Sequence, residues 1–129
     1  MRAALFAYAG ALIPFVALDF VWLSIMGPRL YRPALGDLLR AKPDLGPAIL
    51  FYLIYAGAVV ALAILPNTAN SARAAGAGAI LGLAAYATYN LTNLATLRIY
   101  SLPLTVIDIA WGAILTATAA WIGFKAASL

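Results

Sequence analysis

Four acidic residues occur in this chain, and two of them, Asp19 and Asp108, stand inside long apolar runs. An ionisable side chain at the centre of a bilayer costs at least ~2.5–3.5 kcal/mol, so each needs a partner. Asp19 falls near the end of the first run and Asp108 near the start of the fourth. At 1.5 Å per helical residue, antiparallel crossings place both roughly 8–10 Å inside the same membrane face. The third run adds Tyr86, Asn90, Asn93 and Leu97 at i, i+4, i+7 and i+11, which is one helical face. Tyr89 and Thr96 border that face, and Arg98 follows at the expected mouth as a counter-charge. Two neighbouring carboxylates do not both ionise easily. A shared proton, a bound cation or the Arg98 guanidinium would relieve the conflict, so the chemistry to expect is proton or cation binding.

A second pattern involves the same acids. Asp19-Phe-Val-Trp22 and Asp108-Ile-Ala-Trp111 each put a tryptophan three residues after the acid, on the same helical face. Trp22 and Trp111 therefore join the candidate site. On antiparallel helices, the two tryptophans are expected on opposite sides of the acidic layer. The residues around these motifs do not repeat, so a full inverted repeat of the transporter kind is not indicated. Against the functional reading stands a structural one. Buried Asp and Asn can bond across helices for about 0.6 kcal/mol each, and Trp and Tyr can serve as interfacial anchors.

Several chemistries drop out. The chain has no cysteine and no histidine, which removes thiolate and imidazole nucleophiles, bases and metal ligands. No glycine-rich phosphate loop is present, because the glycines neither follow a strand nor precede a Lys-Thr or Lys-Ser pair. Neither a metal nor a cofactor is expected.

The elements that must position these residues follow from composition. Of 129 residues, 66% are apolar and 9% charged, against about 25% charged in a soluble domain. Mean hydropathy is +0.99. The reading is an all-α polytopic membrane four-helix bundle, a single transmembrane domain over 1–129, with crossings at about 3–26, 47–65, 74–97 and 102–124. The first should stop at Gly27-Pro28 and kink at Pro14. It is too long for the h-region of a removable signal peptide and reads as a retained helix. In the connection from Gly27 to Gly46, Leu35, Leu38 and Leu39 fall at helical spacing between Pro33 and Pro43, which suggests a short interfacial helix. The net charge of +4 lies between apolar runs, where lipid headgroups account for it better than nucleic acid.

Four crossings put both termini on one face with Arg2, Arg73 and Lys125. The other face carries Arg29, Arg32, Arg40, Lys42 and Arg98. The positive-inside rule then leans weakly toward both termini outside. Gly78-Ala-Ile-Leu-Gly82 and the stripe Gly112, Thr116, Ala120 are faces for close helix packing. That packing can lie within one chain, in a homo-oligomer or inside a larger membrane complex.

With those motifs laid out, the chain resembles a family of small four-helix bacterial inner-membrane proteins known only as a domain of unknown function. The resemblance rests on Tyr86-Ala-Thr-Tyr-Asn-Leu-Thr-Asn-Leu-Ala-Thr-Leu97 and Val106-Ile-Asp-Ile-Ala-Trp-Gly112. Asp19-Phe-Val-Trp-Leu23, Tyr31 with Leu35-Gly36, and Phe51-Tyr-Leu-Ile-Tyr55 extend it over nearly the whole length. It implies location in the inner membrane and supplies no activity. Relatives often carry Asp where this chain has Asn90, so a mechanism needing three carboxylates would lack one here.

Three functions compete. The first is a proton- or cation-coupled small-molecule transporter using Asp19 and Asp108. The second is an accessory subunit or assembly factor of a larger membrane complex. The third is a membrane-embedded enzyme acting on a lipid or isoprenoid; without His, Cys or a metal set its chemistry would be narrow, so the balance leans away from an enzyme.

Overall fold

A computed structural model describes residues 1–129. The first helix, α1 (Arg2–Met26), stays helical on both sides of Pro14. It does not end at Gly27-Pro28. Pro28 has no N–H to donate and would ordinarily break the ladder. Here the backbone widens over Gly27–Tyr31, so that the Arg32 amide bonds the Gly27 carbonyl five residues back. Such a wide turn lets the helical backbone continue past a defect. The chain then runs through a short α2 (Arg32–Leu35) and a tight turn at Gly36–Leu38, where Gly36 takes a left-handed φ of 54°. The helical turns expected in this connection are therefore present, but they are shorter than Pro33–Pro43 and continuous with α1; Leu39 lies beyond them.

Three side-chain caps start the remaining helices, each accepting from a backbone amide that has no partner in the first turn. Asp44 takes the Gly46 amide at 3.0 Å and opens α3 (Leu45–Val59), which widens at Val60–Ile64 and tightens at Leu65–Asn67. Asn70 takes the Ala72 amide at 2.8 Å and opens α4 (Ser71–Thr96). Ser101 takes the Leu104 amide at 3.1 Å and opens α5 (Leu102–Ala127).

The segments Arg2–Leu38, Leu45–Asn67 and Leu102–Ala127 are long and apolar enough to cross a membrane. The fourth long helix, α4, matches them in length, but glycine, threonine and asparagine dilute it. Its threonines are exposed and satisfy themselves: Thr88, Thr92 and Thr96 each donate to the carbonyl four residues back at 2.6–2.7 Å. That arrangement hides the hydroxyls from an apolar surrounding. The protein is a four-helix membrane bundle. α1 packs between α3 and α5, α4 lies along α5, and the wide turn Val60–Ile64 that follows α3 closes on α4. Only 23 residues are buried, because the outward apolar side chains, such as Phe20 and Ile80, face what lipid would cover.

Glycine sets the spacing of α4 against α5. A methyl group on Gly82 would stand 2.3 Å from the Gly112 carbonyl oxygen, and one on Gly78 2.7 Å from Ala120 Cβ. The small-residue stripes of the two helices thus meet inside one chain. Gly112 also makes room for an aromatic ring: a Cβ there would lie 2.1 Å from Tyr86 Cγ.

Candidate functional site

Asp108 is buried in α5 and accepts three hydrogen bonds. Tyr31, at the end of the wide turn after α1, donates its hydroxyl to Oδ1. Tyr89 and Asn90, neighbours on α4, both donate to Oδ2, Asn90 at 2.6 Å. Asn90 is in turn fixed, because its amide also donates to the Tyr86 carbonyl and its oxygen accepts from Tyr100 at 2.8 Å. Tyr100 lies in the turn between α4 and α5, where burial holds its phenol above the ordinary value.

Asp19, on α1, is less enclosed and has fewer partners. Tyr52 on α3 donates to Oδ2 at 2.6 Å, and the Trp111 indole donates to Oδ1 at 3.2 Å. Neither carboxylate forms an ion pair. Arg98 is exposed and reaches neither acid, and the one ion pair in the chain joins Arg40 to Asp44 at the surface. The expected counter-charge is therefore absent from the site: Arg98 follows the last turn of α4 and its side chain is free to reach water. Asn93 is half-buried; its side chain stands beside the Tyr100 phenol and its backbone carbonyl receives the Leu97 amide.

Trp22 and Trp111 do not flank the acids. Their rings stack on each other, 4.4 Å between centroids and 5° from parallel. Long side chains on a helix lean toward its N-terminus. On antiparallel α1 and α5 the two leans converge, bringing together indoles rooted at different depths. Each Asp-x-x-Trp motif then serves the other. Trp111 bonds Asp19 directly, while Trp22 donates at 2.9 Å to the Tyr31 oxygen, whose own proton goes to Asp108.

The two carboxylates border one cavity of about 350 Å³. Tyr31, Tyr52, Tyr86 and Tyr89 line it with Phe51, Leu23 and Ala48. Its floor is braced by Phe15, whose ring packs against Phe51, Tyr52 and Tyr55 at 5.2–6.4 Å. The stacked indoles lie behind the acids and outside the lining. A second cavity of about 250 Å³ lies under the first connection, between Arg32, Arg40 and Pro43, and shares Leu23 and Tyr31 with the first. Those two side chains are the partition between them. No fully buried side-chain N or O atom in the chain lacks a hydrogen-bond partner.

Residues 4–125 match the family described as a predicted membrane protein (DUF2177). The chain belongs to that family. No curated protein and no solved structure matches it. The family carries no assigned activity, so the site itself must supply the functional argument.

Of the residues expected at the site, Asp19, Asp108, Asn90, Tyr86 and Tyr89 touch one another or the same cavity. Tyr31, Tyr52 and Tyr100 were not among them. A signal for Tyr52 existed, since a tyrosine inside an apolar crossing must find a partner for its hydroxyl. Tyr31 gave none, because its position depends on α1 continuing past a Gly-Pro pair.

Proposed function

We propose that this family member is a multi-pass bacterial inner-membrane protein that couples a proton or another cation to the movement of a small molecule, with Asp19 as the exchanging group. The observation that carries this reading is the pair of carboxylates bordering one cavity without any lysine or arginine against them. Negative charge held this way is answered by a proton or by a cation that comes and goes. The two acids divide the work. Asp108, buried and given three donors, is the fixed member that orders Tyr31, Tyr89 and Asn90. Asp19, half-buried and given two, is the member open to exchange.

The test uses proteoliposomes that hold a pH indicator and receive in turn a panel of small amines, carboxylates and neutral solutes. The same assay is run with a sodium indicator. At least one solute should drive movement of one of these ions in the natural protein and fail to do so in Asp19→Asn. Absence of solute-driven movement of either ion across the panel, or equal movement in Asp19→Asn, overturns the reading.

A further inference from the structure

We infer that the occupant of the cavity is a monovalent organic cation, an amine or quaternary ammonium joined to an apolar body. This rests on the reading of Asp19 and Asp108 as a cation site and names the class of ligand. The first consideration is size. A volume of about 350 Å³ lies at the low end of the range for small-ligand pockets, roughly 300–1,000 Å³. It far exceeds what a proton or a bare ion requires.

The wall chemistry narrows the choice further. Two carboxylates and no basic side chain line the space, which disfavours an anion. A neutral solute would leave the acids without a counter-charge. An inorganic cation needs several oxygen lone pairs, about six to eight for a calcium-like ion. The chain offers no cluster of three acidic side chains, and the Asp108 oxygens already receive three donors. The rest of the lining is largely aromatic, from four tyrosines and Phe51. Aromatic faces attract a poorly hydrated organic cation and accept its hydrocarbon portion equally well.

Access points the same way. Leu23, Phe51 and Tyr89 line the cavity and are 43%, 43% and 45% exposed. All three belong to helices of the bundle wall, so the cavity borders the surrounding bilayer. A cation with an apolar body concentrates in that interfacial layer and can enter sideways, with its charged end meeting Asp19.

The experiment is calorimetric titration of the full-length protein in lipid nanodiscs, with empty nanodiscs as the blank. The probes share one ring and differ in charge: benzyltrimethylammonium, benzylamine, benzyl alcohol and benzoate. The two cations should bind at least tenfold more tightly than the alcohol, and benzoate should bind most weakly. Asp19→Asn should lower cation affinity at least tenfold and leave alcohol binding within twofold. Thr92→Ala, on the exposed face of α4 and outside the cavity, should leave cation binding within about twofold. Alcohol binding as tight as amine binding, or cation affinity unchanged in Asp19→Asn, overturns the inference. If neither cation binds while a neutral or anionic solute drives proton movement in liposomes, the coupled-carrier reading stands and this one falls. Cation binding that depends on Asp19 without solute-driven movement of proton or sodium supports this inference and overturns the carrier.

Discussion

Two regions of one bundle fill their interiors in opposite ways. Along the α4–α5 seam, Gly78, Gly82 and Gly112 bring backbone almost onto backbone, and no methyl group fits at any of them without displacement. Around Asp19 and Asp108 the helices stand apart, joined by tyrosine hydroxyls and stacked indoles, and a cavity remains. The first region is held by close contact alone, since hydrocarbon surroundings give no hydrophobic drive between helices. The second is held by directional bonds that keep space open. The tight seam anchors α5, and with it Asp108 and the three side chains that donate to it.

Substitutions at graded positions would break or sharpen this contrast. The largest effect is expected for Gly82→Val, whose branched carbon must displace the Gly112 carbonyl and Thr116. Overpacking of a tight interior costs about 1–3 kcal/mol and sometimes more, and here a backbone atom is the obstacle. Thermal unfolding in detergent should show loss of the cooperative transition or a midpoint at least 10 °C lower; a natural midpoint would mean that the seam is slack.

Next comes Asp108→Ala. Buried groups left without a partner cost about 1–3 kcal/mol each; the Tyr31 and Tyr89 hydroxyls lose their acceptor, while Asn90 keeps the Tyr86 carbonyl. A destabilisation of about 2–3 kcal/mol is expected, read by denaturant titration in mixed micelles. Asp19→Ala, with two donors at a half-buried position, should cost about 1 kcal/mol. Equal losses for the two acids would erase the distinction drawn between them.

Trp22→Phe probes the join between regions. It removes the bond to Tyr31 and part of the indole stack, and should cost about 0.5–1.5 kcal/mol in the same titration. The smallest effect belongs to Thr92→Ala, because that hydroxyl bonds only its own helix and faces outward. A change within about 0.5 kcal/mol is expected; a larger loss would show that α4 contacts more than this bundle describes.

Much of the bundle was legible because its signals are energetic. Three of the four crossings are long apolar runs, and the acids stood out because charge is costly in hydrocarbon. The caps Asp44 and Asn70 start α3 and α4 at Leu45 and Ser71, a little before the starts expected from hydropathy at about 47 and 74. What escaped was geometry. Gly27-Pro28 read as a stop because the usual helical ladder cannot pass a proline, yet a single wide turn carries the helix on. That continuation delivers Tyr31 to Asp108, so the site lost a residue in the reading for the same reason that the helix lost its end. The tryptophans were misplaced because depth was reckoned along helix axes, while indoles reach well away from their own backbone. The end of the third run puts Arg98 at the expected mouth, yet its exposed side chain pairs with neither acid.

The near-parallel stack of Trp22 on Trp111 has an optical consequence. Two indoles so close and so aligned couple their transition dipoles, so light absorbed by either is shared, and the emission of the pair depends on how far apart they are held. Trp121 is the only other tryptophan and lies on the opposite stretch of α5, beneath Lys125. With that residue changed to phenylalanine, the tryptophan emission of the protein, excited at wavelengths its seven tyrosines do not absorb, would come from the Trp22–Trp111 stack alone, and any movement there would be visible without a label.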